Sequence, residues 1–289
     1  MLSTFDRAHV WLNGEPTLDG RVVAVDFWTY SCVNWLRTLP YVRAWHARYA
    51  EAGLVVVGVH APEFHFEHAL SNVQRAVTDL GVRHPVVIDN DFSIWRAFDN
   101  HYWPALYVLG RDGRVGFQHF GEEAYAESER AIQTLLGLDE PLSDVDASGV
   151  AAPAEWAALN SPETYLGSLR GERRGRTGLL TRNQWALSGD WTVAEEFSAL
   201  DAAGGSIAYR FEGRDVNLVL GADAPVGFTV TVDGEPPGAA AGVDVDGAGA
   251  GVLAEPRMYQ LVRAPGLVRE RTVEVTFEGP VRAYVFTFG

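Results

Sequence analysis

The chain has 289 residues, 47% of them hydrophobic, with 38 acidic against 23 basic side chains and a formal charge of −15. That length suits two packed domains. The acidic surplus, with no lysine anywhere, leaves no basic tract for a phosphate backbone and argues against nucleic acid as a partner.

The predicted elements begin with a continuous apolar run over 22–28, read as a buried strand, followed by a helix over 32–51 and a second apolar strand over 54–59. Continuous apolar strands between helices indicate a sheet covered on both faces. A helix over 64–80 stopped by Gly81, a short strand over 85–88 and a helix over 91–98 capped by Asp91 come next. Strands over 104–109 and 114–120 flank Arg111-Asp112-Gly113, a hairpin signal, and a helix over 122–136 ends at Gly137. The order βαβαβαββα defines an α/β domain over 1–140. Residues 141–160 turn to Ala, Asp, Ser and Pro and read as a linker. Ser161-Pro162-Glu163 has the form of a helix N-cap with proline in the first turn. From there to 289 the period changes to two. Strands over 206–211, 216–220, 228–232, 257–262, 272–277 and 283–288, separated by Gly, Pro and Asp turns, predict an all-β sandwich of jelly-roll type.

No stretch approaches the roughly 18–20 apolar residues of a membrane span, and the first residues lack the basic and apolar segments of a signal peptide. One cysteine in 289 residues builds no disulfide framework and suits a reducing compartment. The expectation is a cytoplasmic protein, or an extracytoplasmic one if the sequence is a fragment of a membrane-anchored chain.

That cysteine, Cys32, lies where the strand over 22–28 passes through a turn into a helix. Backbone N–H groups at a helix N-terminus stabilise negative charge, and thiols so placed fall from a pKa of about 8.5 into a range of roughly 3.5–7.5. The alternative is a small apolar residue at a helix start. Trp35 occupies the place, one helical turn on, where a resolving thiol would stand, so an intramolecular disulfide is excluded.

The run Val25-Asp26-Phe27-Trp28-Thr29-Tyr30-Ser31-Cys32 resembles the active-site segment of the thioredoxin superfamily, with Pro40 where that family carries a proline in the active-site helix. Trp103-Pro104-Ala105-Leu106-Tyr107-Val108-Leu109 resembles its cis-proline strand. Gly58-Val59-His60, Pro62-Glu63, Tyr102-Trp103-Pro104 and Ser161-Pro162-Glu163-Thr164-Tyr165-Leu166-Gly167 are similar to the soluble C-terminal half of DipZ-type thiol-disulfide proteins. This resemblance implies an α/β thioredoxin-like domain followed by a carbohydrate-binding-module-like sandwich. It also implies a redox site in which Cys32 is the nucleophile, Asp26 a buried carboxylate beneath it, and Glu63 a carboxylate near the thiol. Trp28, Tyr30, Trp103 and Pro104 then shape a substrate groove. Thr29, three before the cysteine, matches half of the peroxiredoxin T-x-x-C pattern. A partial cluster of His60, His65 and His68 with Glu63 and Glu67 gives no complete metal set, so neither metal nor cofactor is expected.

The implied partner is a disulfide-bearing protein or a low-molecular-weight thiol. Trp185, Trp191, Tyr209 and Tyr259 are candidates for a sugar-stacking platform on the β-domain, aromatics on strands being core more often than surface. Three functions remain open: thiol redox chemistry through mixed disulfides, non-catalytic binding or scaffolding, and peroxide reduction or sensing.

Overall fold

The computed structural model describes residues 2–6 and 10–289; Met1 and residues 7–9, inside the expected first domain, lie outside the described residues. The chain forms two compact units, Met1–Ala151 and Ala152–Gly289.

In the first unit, β1 (Trp11–Leu12), β2 (Val22–Trp28), β3 (Leu54–His60), β4 (Val86–Ile88), β5 (Ala105–Leu109) and β6 (Val115–Phe120) make one sheet. Their order is β1-β4-β3-β2-β5-β6. Helices α1 (Val33–Tyr49), α2 (Leu70–Asp79), α3 (Ser93–Ala97) and α4 (Tyr125–Leu136) connect them. Central β2 runs parallel to β3 and antiparallel to β5, and every one of its residues is buried. Alternation divides them: Val23, Val25 and Phe27 pack with Ile94 and Phe98, while Val22 and Ala24 pack with Val42 and Trp45 of α1 and Ile132 of α4. Each buried Val, Ile or Phe among them stabilises the fold by about 1.5–3 kcal/mol. Asp26 shares the parity of Val22 and Ala24, so the strand turns a carboxyl toward the α1 layer. Beside it, Gly58 of β3 has no room for a side chain: a Cβ there would stand 2.8 Å from Trp28 Nε1 and 3.1 Å from His84 Nε2.

Two elements differ from the sequence expectation. The helix expected over 64–80 is divided into a 3-10 turn, His65–His68, and α2, because the Glu67 side chain turns inward and accepts the Glu63 and Phe64 N–H groups instead of facing solvent. The helix expected over 91–98 is shortened to α3, and its cap is shared. Asp91 accepts from Ser93 N at 3.1 Å, whereas buried Asp89 accepts from Ile94 N at 2.9 Å and Trp95 N at 2.8 Å. The segment after α4 is held to the first unit as far as 151: Ser143 donates from N and Oγ to Glu129, and Arg48 pairs with Glu140 at 3.1 Å.

The second unit contains β7 (Thr164–Tyr165), β8 (Trp185–Ser188), β9 (Trp191–Val193), β10 (Ser198–Leu200), β11 (Ser206–Glu212), β12 (Asp215–Gly221), β13 (Val226–Val232), β14 (Ala250–Leu253), β15 (Arg257–Arg263), β16 (Glu270–Phe277) and β17 (Val281–Phe288). They form two sheets, β15-β12-β17-β10-β9 with β7 on β17, and β14-β13-β16-β11-β8. The sheets share one core, in which Leu218, Tyr259 and Phe286 meet Ile207, Phe228 and Phe277. No helix starts at Ser161. Thr164 Oγ1 donates back to Pro162 O and bonds the Tyr209 hydroxyl, and the chain enters β7 at once. The expected aromatic platform is also overturned: Trp185, Tyr209 and Tyr259 are core residues and Trp191 packs against them, their alternation having turned them inward. A buried ion cluster fixes the start of β12, where Asp215 meets Arg263 Nε at 2.7 Å and Arg214 Nη2 at 2.8 Å.

Two stability predictions arise from this. Asp89→Ala should lower the urea-unfolding free energy by about 2 kcal/mol and Asp91→Ala by less than about 1 kcal/mol, since the first leaves two buried N–H groups unpaired. Asp215→Ala should cost about 3 kcal/mol by stranding two partly buried guanidinium groups.

Candidate functional site

The site forms where β2 ends. Residues 29–32 make a turn closed by Cys32 N donating to Thr29 O at 3.3 Å, and Cys32 is the N-cap of α1, its carbonyl accepting from Leu36 N at 3.0 Å. The sulfur therefore sits at the positive end of a 17-residue helix, an arrangement that favours thiolate. It is half-buried and lies 3.9 Å from the carbonyl oxygen of Trp103. The Trp103–Pro104 bond is cis. Pro104 is buried, and its carbonyl accepts from Gly121 N. Next to Gly121, Glu122 pairs with buried Arg37 of α1 at 2.8 Å. These contacts tie the proline turn to the helix that carries the sulfur.

Trp35 occupies the floor of the site. Its ring is fully buried, stacks on Trp28 at 4.1 Å and 19°, and donates from Nε1 to Asp26 Oδ2 at 2.9 Å. Desolvation raises the Asp26 pKa from 3.8 to about 7, and the Trp35 hydrogen bond only partly offsets this. The other oxygen, Oδ1, has no hydrogen bond. A cavity of about 10 Å³ bounded by Asp26, Thr38, His119 and Ser128 adjoins it, about the space of one water.

Several expected positions move. Trp28 and Tyr30 do not line a groove. Trp28 is fully buried under Trp35, and Tyr30 is 5% exposed, stacked on His60 with its edge to Phe66. Both faces of the sheet are covered at this end of β2, so its last residues turn inward. Around the cis-proline turn the exposed residues are instead Tyr102 (53%) and Phe120 (40%), with Trp103 partly so. Tyr102 and Phe120 rings lie 5.1 Å apart, and Trp103 is fixed by Nε1 donating to Ala61 O at 3.0 Å. Thr29 is fully buried, its hydroxyl beside Glu67 without a hydrogen bond of good geometry, and so is closed to an incoming peroxide.

The carboxylate that reaches the active-site turn is Glu67, with Glu63 as its like-charged neighbour. Glu67 is fully buried and accepts from Ser31 Oγ at 2.5 Å. Desolvation, then the Glu63 charge, raise its pKa to about 7. Sequence reasoning noticed Glu67 only as part of a metal cluster; the alternation Phe64-His65-Phe66-Glu67 beside Pro62-Glu63 gave no sign that the last residue turns in. His60 is buried between Trp28 and Tyr30 and neutral, burial pushing its pKa to about 3. Among the described residues no three His, Cys, Asp or Glu side chains are placed to hold a metal ion, and no helix is long and apolar enough to cross a membrane.

Asp26 gives a pH prediction. The folded protein keeps its proton up to about pH 7, whereas the unfolded chain releases it near 3.8. Stability from the protonated form is therefore lost as pH rises from about 4 to 7, by at most about 1.4 kcal/mol per pH unit. His60 and His84, both held near 3, act with opposite sign below about 6.5, so the parent curve alone hides the effect. Asp26→Asn retains an oxygen for Trp35, and its stability relative to the parent should rise by about 2–4 kcal/mol between pH 4.5 and 7.5 in urea unfolding.

Comparison with known proteins gives a family match for the second unit and relatives of each unit. Residues 161–289 match the family described as "Thioredoxin like C-terminal domain". The Protein DipZ of Mycobacterium tuberculosis is 32% identical over 96% of this chain, which spans 41% of DipZ's length. The thiol-disulfide oxidoreductase YkuV of Bacillus subtilis is 26% identical over 45% of this chain and 90% of its own. A solution structure of a thioredoxin-like protein in the oxidized form shares 26% identity, with a TM-score of 0.41, over 44% of this chain and 88% of that one. The first unit thus has a thioredoxin-like fold, and across both units the chain is similar to Protein DipZ, with Trp35 three residues after its single cysteine.

Proposed function

We propose that this chain performs thiol-disulfide exchange through a single cysteine. The Cys32 thiolate attacks a disulfide of a protein or small-thiol substrate. The substrate S–S bond breaks, a Cys32–S–S–substrate bond forms, and the departing thiolate takes up a proton. With no second thiol in the chain, an external thiol then attacks the mixed disulfide, leaves with the substrate sulfur as a new disulfide, and returns Cys32 as thiolate. The observation that supports this reading is the half-buried sulfur at the head of α1, 3.9 Å from the carbonyl that precedes Pro104. A substrate chain running past that carbonyl comes within reach of the sulfur, and exposed Tyr102, next to Trp103 in the chain, offers it an apolar contact.

Asp26 has no second thiol to serve, so its place in this chemistry is to hold Trp35. Trp35 closes the floor, Pro104 shapes the approach, and Glu63 adds negative charge at the Glu67 side. For the β-domain we propose a partner-binding unit of jelly-roll, carbohydrate-binding-module-like type. Its exposed large apolar residues, Leu169, Leu179 and Leu267 among them, suit a protein partner better than a sugar, which stacks on aromatic rings. The rival for the whole chain is a scaffold that keeps the fold without turnover. If the chain belongs to a longer membrane-anchored protein, the localisation we propose is extracytoplasmic; otherwise it is cytoplasmic.

Incubating the full chain with oxidised glutathione should add one glutathionyl group, removable by dithiothreitol and absent in Cys32→Ser, as read by mass spectrometry. A thiol that stays unalkylated up to pH 9 and forms no adduct would favour the scaffold, and selective sulfenic acid formation by peroxide would favour a sensor. Trp35→Cys should permit an intramolecular disulfide between Cys32 and the introduced thiol, while costing about 3–5 kcal/mol for the lost ring.

A further inference from the structure

Glu67 has no part in the exchange steps above, yet its side chain is hydrogen-bonded to the turn that presents Cys32. One oxygen accepts from Ser31 Oγ, and the other accepts from Glu63 N at 2.6 Å and Phe64 N at 3.0 Å. The first donor lies immediately before Cys32 and the other two lie on the segment after β3, so one carboxyl joins the two. The groups acting on it are Ser31 and Thr29 from the turn and Glu63 and Phe64 from the segment, while His65 and His68 share its 3-10 turn. Among the described residues no arginine or protonated histidine pairs with it. If the Ser31-bound oxygen takes up a proton, that hydrogen bond survives by reversing direction, Glu67 donating to Ser31 Oγ. Protonation therefore changes the charge beside the turn without releasing the turn.

We propose that Glu67 is a positioning residue for Cys32: through Ser31 it fixes the turn that places the sulfur at the head of α1, and its ionisation sets how much of Cys32 is thiolate. This rests on Cys32 being the reactive group. Successive Cα atoms are about 3.8 Å apart, so the Ser31-bound carboxyl lies within roughly 12 Å of the sulfur, through a largely buried path. A negative charge there opposes the helix N-terminus, by roughly three- to tenfold in thiolate population. Because desolvation brings the Glu67 pKa to about 7, that opposition switches on across neutral pH.

The test is the pH dependence of Cys32 alkylation by iodoacetamide in the full chain. Glu67→Gln should raise the thiolate fraction at pH 7.5 three- to tenfold and lower the apparent thiol pKa accordingly. A folded Glu67→Gln protein with the parent's alkylation profile overturns the proposal. If that variant does not fold, the side-chain carboxyl carbon of Glu67 is titrated by ¹³C NMR in the parent and in Cys32→Ser. Coupling is reciprocal, so the parent curve should carry a second step as Cys32 ionises, missing in Cys32→Ser; superimposable curves overturn the proposal. The two readings fail separately. A Glu67-dependent thiol pKa without any glutathionyl adduct sustains this inference and removes the exchange function, whereas normal adduct formation with a Glu67-independent pKa does the reverse.

Discussion

The hydrogen bond from the Trp35 indole to Asp26 is the constraint around which the first unit is arranged. A buried carboxyl in the middle of β2 is expensive, because that strand lies between two apolar layers. In a dithiol site a small thiol would stand above it. Here a bicyclic ring fills that volume, supplies a donor, and stacks on Trp28, which in turn meets His60 edge-on. The first turn of α1 is thereby fixed to the sheet by packing and by one directed hydrogen bond. Cys32 inherits its place from that attachment.

Around the sulfur the electrostatics oppose one another. The head of α1 favours thiolate, while the Trp103 carbonyl oxygen at 3.9 Å favours the neutral thiol as a weak donor. Two buried carboxyls, Asp26 below and Glu67 beside the turn, are both raised to about 7 by desolvation. At acid pH both are neutral and only the Trp103 carbonyl opposes the helix; above neutrality both carboxyls become charged and add to that opposition. His60, close by, adds no compensating charge because burial keeps it neutral. Such a site has its strongest drive toward thiolate, relative to an isolated helix end, on the acid side of neutrality.

Much of this was legible in the sequence. The apolar runs that became β2 and β3, the turn before Cys32, the proline strand and the six long strands of the second unit are each written in local pattern, and each formed within a few residues of its expected bounds. What escaped was set by tertiary contact. Two-residue β1 exists because Trp11 and Leu12 pair with β4, and short strands such as β9 and β10 have too few residues for a period to register. Glu67 reads as one more polar residue of an amphipathic helix until its backbone partners are seen. The family resemblance places Trp28 and Tyr30 in a groove, but it gives no information about which face their rings occupy here. The aromatics of the β-domain failed as a platform for the same reason: alternation identifies two faces and does not say which one meets water.

The lost second cysteine changes what the remaining parts can contribute. In a dithiol site the mixed disulfide is short-lived because an internal thiol is always at hand. In the exchange proposed above, with Trp35 in that place, the lifetime of a mixed disulfide would depend on how quickly an outside thiol reached the Cys32 sulfur. A partner segment lying along the Trp103 carbonyl, 3.9 Å from the sulfur, would shield the S–S bond from outside thiols. A tightly seated partner would remain attached and a loosely seated one would be released by the first small thiol to arrive. The same geometry thus connects the catalytic and the scaffolding readings, which differ in how long the bond to Cys32 persists rather than in which residues form it.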